Sequence, residues 1–253
     1  MSNSPRIALV TGGSRGLGRS TVEALARRGV TSIFTYNSNR AEADKVVALA
    51  GQVGARAIAL QLDTGATAGF EAFATELQIA LATLGADRID YLINNAGTSS
   101  AMGFLSADEA ELDALYAVHV KGVFFLTQRL APLIRDGGRI VNISSGLTRV
   151  TMANRAAYAT MKAAVETMTR YMAFELGPRG IAVNCVAPGA IATDFSGGAV
   201  RDNPAVASAI ADITALGRPG VADDIGPMIA ALLSEDNRWV NGQRIEVSGG
   251  MRL

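Results

Sequence analysis

One cysteine and one histidine are all that 253 residues hold of the two side chains most used to bind transition metals. Cys185 has no second cysteine to pair with, so an internal disulfide is excluded and nothing points to an oxidising compartment. Cys185 and His119 together fall short of the histidine/cysteine set of a zinc site, and no metal is expected. A Ser-His-Asp hydrolase would have to use His119, which lies in a helical pattern with no nucleophile elbow near it. An excess of charge of one sign is also lacking. The 23 Lys+Arg balance 23 Asp+Glu, so neither nucleic acid nor an anionic membrane is expected as a partner. No apolar segment approaches the length of a bilayer-spanning helix. At the start, Met1–Pro5 is polar and Ile7–Val10 is too short for the apolar part of a signal peptide. The expectation is a cytoplasmic protein.

What is present is a globular composition, 49% hydrophobic and 18% charged, with short apolar runs alternating with longer amphipathic ones. Strands are expected at Ile7–Val10, Ser32–Tyr36, Ala57–Leu62, Asp90–Asn94, Arg139–Ser144, Ile181–Val186 and Arg244–Val247. Helices are expected at Leu17–Arg28, Arg40–Ala50, Phe70–Leu84 and Ala156–Leu176. Several of the strands are apolar on both faces, as buried parallel strands are. The alternation predicts an α/β, doubly wound sheet in one domain spanning 1–253. No composition shift marks a linker. The stretch Ala190–Asn203 has no clear pattern and carries Ser196-Gly197-Gly198. Ligands bind beyond the carboxyl ends of strands in such sheets, so a substrate lid is expected around 190–215.

The first strand runs into Thr11-Gly12-Gly13-Ser14-Arg15-Gly16-Leu17-Gly18 and then a helix. Glycines let backbone approach a pyrophosphate closely, and a helix N-terminus offers free N–H groups and positive potential. The strand-turn-helix context is the one this motif requires. An NAD site places an acid about 20 residues further on, against the ribose hydroxyls. The corresponding stretch, Tyr36-Asn37-Ser38-Asn39-Arg40, has none. With Arg15 in the loop and Arg40 just after, a 2′-phosphate is favoured, because the arginine fork matches phosphate. NADPH/NADP+ is the expected cofactor.

Tyr158 and Lys162 stand four apart in a helical pattern and share a face. A free phenol has a pKa of about 10. A nearby ammonium lowers it, making a usable proton donor or acceptor. The strand before this helix ends at Ser144-Ser145. Either serine is suited to hydrogen-bond a substrate oxygen that gains negative charge, and the residue types alone leave both open.

Taken together, Thr11–Gly18, Asn94-Asn95-Ala96-Gly97, Ser145, Tyr158-xxx-Lys162 and Asn184-Cys185-Val186-Ala187-Pro188-Gly189 resemble the short-chain dehydrogenase/reductase family. The likeness is to its branch of roughly 250 residues and, within that, to ketoacyl-carrier-protein reductase-like members. It covers nearly the whole chain. The resemblance implies a Rossmann-type fold with seven parallel strands in the order 3-2-1-4-5-6-7, and a homotetramer. It implies that Ser145, thirteen before Tyr158, is the catalytic serine. Tyr158 would protonate the carbonyl oxygen, and Lys162 would lower the tyrosine pKa and bind the nicotinamide ribose. Asp63 would meet the adenine, and Asn95, Ala96 and Gly97 would pass beside its ribose. Pro188, Gly189 and Ile191 would line the nicotinamide, with Thr193 on its carboxamide.

One position departs from the family pattern. Where the family commonly has an asparagine anchoring a water-linked proton relay, this sequence has His119. Either His119 serves the relay or it is a packed helix residue. The pocket expected from Leu147, Val150, Met152, Asn95–Ser100 and Phe195 is apolar or small. It suits a small-molecule carbonyl or alcohol with an apolar body, such as a ketone or a 3-oxoacyl thioester. Arg149 and Arg155 are read as solvated. The activity expected is NADPH-dependent carbonyl reduction, reversible as alcohol oxidation. The alternative is an NADP-binding regulatory protein that has lost catalysis.

Overall fold

The computed structural model describes residues 6–253; the polar start read at Met1–Pro5 lies outside the described residues. Seven strands form one parallel sheet: β1 (Ile7–Val10), β2 (Thr31–Tyr36), β3 (Ala57–Gln61), β4 (Ile89–Asn94), β5 (Ile134–Ile143), β6 (Ala182–Pro188) and β7 (Arg244–Val247). Their order is β3-β2-β1-β4-β5-β6-β7, with all pairs parallel. This is the doubly wound, Rossmann-type arrangement. The strand order reverses between β1 and β4, which opens a crevice at their carboxyl ends.

Alternate residues of each strand serve opposite faces. Ala8 and Val10 pack with Val22, Leu25, Phe34, Ile225 and Ile229, beneath α1 (Gly16–Ala26), α2 (Arg40–Gln52) and the last helix (Ala222–Leu232). Ile7 and Leu9 pack with Phe73, Leu77, Leu126, Leu130 and Ile140, beneath α3 (Phe70–Thr83), α5 (Val123–Leu130) and α6 (Ala156–Leu176). Both faces are therefore dry, and the strands read as continuous apolar runs.

Between β4 and β5 the helix begins as α4 (Glu109–Tyr116), passes through a π-helical turn (Ala117–Gly122) and continues as α5. Such turns are rare, and many sit at functional sites; this one carries His119. The segment expected to lack pattern is partly helical. After a short turn at Phe195–Gly198 come α7 (Ala199–Asp202), α8 (Pro204–Asp212) and then α9 (Ala222–Leu232). Asn203 caps α8 by accepting from the N–H groups of Ala205 and Val206 (3.0 and 3.3 Å). β6 runs two residues past its expected end, because Pro188 still pairs with Val247. No helix among the described residues is long and apolar enough to cross a membrane.

Candidate active site

β1 delivers the chain to Thr11, whose hydroxyl accepts from the backbone N–H groups of Asn95 (2.9 Å) and Ala96 (3.0 Å). The Asn95 amide donates to the carbonyls of Thr11 and Gly12 (2.9 and 3.1 Å). The end of β4 is thus fastened to the glycine loop. The Asn95 side chain, expected beside the adenine ribose, is committed to that fastening. α1 starts without a side-chain cap at Arg15 and without an acid in its first turn, so its first N–H groups stay available to an anion. Gly16 turns with φ +53°, and a Cβ there would lie 3.8 Å from Thr193. Thr193 therefore faces the loop across the crevice. Ser14 and Leu17 are half-buried along it and Arg15 is exposed. The uncapped helix start and the open side of the glycine turn fit a dinucleotide pyrophosphate.

At the end of β2, Asn37 and Ser38 are exposed and no acid follows before Glu42. Arg40 is exposed, pairs with Asp44 at 2.8 Å and lies over the Tyr36 ring at 5.8 Å. An exposed pair of this kind is weak and leaves Arg40 able to exchange Asp44 for a phosphate. Asp63 is exposed just past β3, with its carboxylate on the Gly65 N–H (2.8 Å).

α6 presents Tyr158 and Lys162 from adjacent turns of one face, both buried. The Lys162 ammonium donates to the Ile143 carbonyl at 2.8 Å and lies 5.6 Å from the Tyr158 ring centre. Burial pushes its pKa down to about 8. Burial also raises the Tyr158 phenol above its ordinary value, and the Ser145 hydroxyl and the Arg155 charge offset only part of this. Against the lowering expected from Lys162, desolvation of the charged form is the largest influence on Tyr158 and favours the neutral phenol. The two serines separate by partner. Ser144 donates to Glu166 (2.7 Å), whereas Ser145 accepts from the Leu147 N–H (3.2 Å) and adjoins Tyr158.

His119 is 1% exposed and stands edge-on to Tyr158, with ring centres 5.4 Å apart at 89°. Gly97 makes room for it, since a Cβ there would meet the His119 ring at 2.8 Å. Nε2 lies 2.8 Å from the Thr98 carbonyl. The Thr98 N–H also lies 3.3 Å from Nε2, but the shorter contact to the carbonyl, which only accepts, favours the proton on Nε2. Nδ1 is buried with no hydrogen-bond partner among the described residues. Burial, and then the nearby Lys162 charge, lower the imidazole pKa to about 3. The lowered pKa favours the neutral imidazole at physiological pH and disfavours a relay through its imidazolium, and Nδ1 is left as an acceptor.

Residues 12–252 match the family model described as enoyl-(acyl carrier protein) reductase. The chain belongs to the short-chain dehydrogenase/reductase family. Among curated relatives it is 34% identical to a hydroxynaphthalene reductase-like protein, Arp2, of Metarhizium brunneum, with 97% of this chain and 94% of the relative covered. Among solved structures it superposes on the promiscuous reductase LugOII, which catalyses keto-reduction at C1 during lugdunomycin biosynthesis. There the identity is 38%, each chain is fully covered and the TM-score is 0.93. The angucycline C-6 ketoreductase LanV, solved with bound NADP, is 33% identical with a TM-score of 0.93, covering 99% of this chain and 97% of its own.

In this dehydrogenase/reductase Tyr158 joins Leu115 and Met161 in a small apolar cluster, with Met102, Val120, Leu147 and Ala157 packed against it. Met102 adds to the residues expected around the pocket, and Val150, also expected there, is buried at 4% exposure and lies outside this cluster. Beyond β6, the N–H of Gly189 donates to the Val247 carbonyl (3.0 Å), and Ala190 and Ala192 exchange hydrogen bonds with Gly220 (3.0 and 2.8 Å). Ile191 and Thr193 sit half-buried between these anchors and the turn at Phe195. The Phe195 ring approaches that of Tyr158 to 6.0 Å, and Ser196 takes φ +56°, a left-handed conformation uncommon outside glycine. Of the two arginines read as solvated, Arg149 is exposed and Arg155 is half-buried, and each has a partner within the chain. Arg155 donates to the Ser100 carbonyl at 2.6 Å, and Arg149 holds Glu246 with two bonds (2.7 and 2.6 Å). Their partners come from distant stretches of chain, which local sequence pattern does not pair. The last strand has the expected bounds, Arg244–Val247, and the segment before it leaves Trp239 96% exposed. The left-handed turn at Gly242 (φ +70°) separates the two parts.

Proposed function

We propose that this chain is an NADPH-dependent carbonyl reductase acting on the keto group of an apolar ketone carried on aromatic rings. The observation that carries the reading is the neutral, buried Tyr158 hydroxyl beside Ser145 at the mouth of a crevice built for a dinucleotide. The bound nicotinamide supplies the hydride. The Ser145 and Tyr158 hydroxyls hold the carbonyl oxygen, and Tyr158 gives that oxygen its proton as negative charge develops there. A phenol that stays protonated is in the state that reduction needs, whereas alcohol oxidation needs the phenolate. Lys162, fixed on the Ile143 carbonyl, keeps a positive charge under the nucleotide ribose. The aromatic substrate class is supported by the walls of Met102, Leu147 and Phe195 and by the relatives named for hydroxynaphthalene and angucycline substrates. Gly12, Ser14, Gly16, Leu17, Gly18, Asn37, Ser38, Asp63, Ala96, Gly97, Pro188, Gly189, Ile191 and Thr193 would hold the cofactor. Residues 190–215 would close over the substrate as a lid. Exposed apolar side chains on α4–α6, namely Tyr116, Phe124, Tyr171 and Phe174, are consistent with a homotetramer.

The test is oxidation of NADPH and of NADH with aryl, polycyclic and aliphatic ketones, β-keto esters and a 3-oxoacyl thioester. NADPH turnover, fastest on the ring-bearing ketones, is the expected result. NADPH binding without reduction of any ketone would make the chain a nucleotide-binding regulatory protein instead. The choice of dinucleotide has its own test. Arg15→Ala combined with Arg40→Ala is expected to raise the Kd for NADPH by about 100-fold, on the order of two charge-assisted contacts, and that for NADH by about threefold or less. Equal losses in fluorescence titrations would place the 2′-phosphate elsewhere.

A further inference from the structure

Glu166 has none of the roles assigned above, yet it continues the catalytic row. Tyr158, Lys162 and Glu166 follow one another at four-residue steps on α6 and so share a face. The Glu166 side chain is 15% exposed. Its Oε1 lies 2.7 Å from the Ser144 hydroxyl, 2.7 Å from the Thr148 hydroxyl and 2.8 Å from Nε of Arg244. Ser144 and Thr148 bracket Ser145 in sequence. Arg244, reaching in from β7, also places Nη2 3.1 Å from the Thr148 hydroxyl and 3.4 Å from the Ser145 carbonyl, with Nη1 on Glu246 at 3.0 Å. Glu246 is gripped in turn by Arg149, which donates to the carbonyls of Met251 and Arg252 (2.7 and 2.9 Å). A chain of charge-assisted bonds therefore links α6, the Ser145 loop, β7 and the last residues.

A half-dry carboxylate receiving three donors on one oxygen is a strong and directional anchor. An ion pair meant only for stability gains nothing from grasping the hydroxyls on both sides of one serine. Ser145 and Tyr158 come from different elements, and their hydroxyls must converge on one oxygen. An error of about 1 Å in such convergence costs on the order of 100-fold in rate.

We propose that Glu166, locked by Arg244, is a positioning residue that fixes the Ser145 loop to the helix carrying Tyr158. The inference rests on the reductase reading for what Ser145 does, but not for the clamp itself. The experiment uses Glu166→Gln in the full chain, read by hydrogen exchange and by steady-state kinetics. The amides of Ser144, Thr148, Arg149 and Val150 are hydrogen-bonded to Val186, Ser145 and Gly146, so they start protected. Glu166→Gln is expected to speed their exchange by about tenfold while the amides of β1 and β4 keep theirs. The kcat should fall by about tenfold, with KM for the ketone and Kd for NADPH within about twofold. In a Ser145→Ala background the same change should alter kcat by less than about twofold, because a residue acting through Ser145 has nothing left to position. An equal tenfold loss in that background, unchanged exchange at Ser144–Val150, or faster exchange throughout the sheet would each overturn the proposal. If the unaltered protein reduces no ketone, the reductase reading falls, and the exchange measurement alone decides whether the clamp exists.

Discussion

Tyr158→Phe is expected to lower kcat by about 1,000-fold, within the range of lost general acid catalysis, while NADPH affinity changes by less than about twofold. The variant removes one oxygen and leaves the ring. That ring is the packed part of the residue. It meets His119 edge-on at 5.4 Å and Phe195 at 6.0 Å, and it belongs to the small cluster with Leu115 and Met161. The fold and the wall of the pocket therefore persist, and Lys162 keeps its bond to the Ile143 carbonyl. What disappears is the phenolic proton next to Ser145. Because burial holds that phenol neutral, the wild-type reductive rate should show no loss attributable to Tyr158 ionisation across neutral pH. The group begins to lose its proton only above the ordinary tyrosine range. His119 does not take over in the variant, since its imidazole is neutral above a pKa of about 3 and its one N–H is committed to the Thr98 carbonyl. Stopped-flow NADPH oxidation together with a binding titration separates the two quantities. Turnover within tenfold of wild type would remove Tyr158 from the chemistry.

The sheet was legible in the sequence because several strands are apolar on both faces and all alternate with helical patterns, and α6 was legible in full because its pattern runs unbroken between Ala156 and Leu176. The glycine loop, the missing acid at Asn37–Arg40 and the Tyr158/Lys162 pair were legible because each depends on residues close together in the chain. Features that depend on the fold were not. The π-helical turn at Ala117–Gly122 is a change of backbone register and leaves no mark on the side-chain pattern. The direction of the Tyr158 shift is set by desolvation, which no spacing encodes. Glu166 and Arg244 are 78 residues apart, so no local spacing pairs them. The bonds from the Asn95 amide to the carbonyls of Thr11 and Gly12 join residues more than 80 apart, which no local spacing encodes. Asn203-Pro204 is a helix cap followed by a first-turn proline, a local signal that marks the start of α8 just past the stretch without clear pattern.

The glycine loop supports a second large effect, this time on folding and cofactor binding together. Gly18 lies inside α1 where that helix crosses the end of β1. A Cβ on it would stand 2.1 Å from the Gly12 carbonyl oxygen and 2.6 Å from the Asn95 amide nitrogen. The first is backbone and cannot swing aside, and the second already bonds both Thr11 and Gly12. Gly18→Ala must therefore lift α1 off the loop or break the Asn95 fastening. Overpacking of this kind costs about 3 kcal/mol, and in a chain of this size about 10 °C in Tm. The displaced helix start also takes its free N–H groups away from the pyrophosphate, so NADPH affinity should fall by more than about 100-fold even at temperatures where the variant is folded. Helix propensity alone predicts the opposite sign, since alanine is favoured over glycine by about 1 kcal/mol within a helix. Gly51→Ala makes that comparison directly: it lies in α2 with nothing within 4 Å of the added Cβ, and it should hold or raise Tm with NADPH binding intact. If Gly18→Ala behaves like Gly51→Ala, the close crossing of α1 over the Gly12 carbonyl is not what holds the nucleotide end of the site. If the two diverge as expected, one missing methyl group is what lets the helix start reach the phosphates.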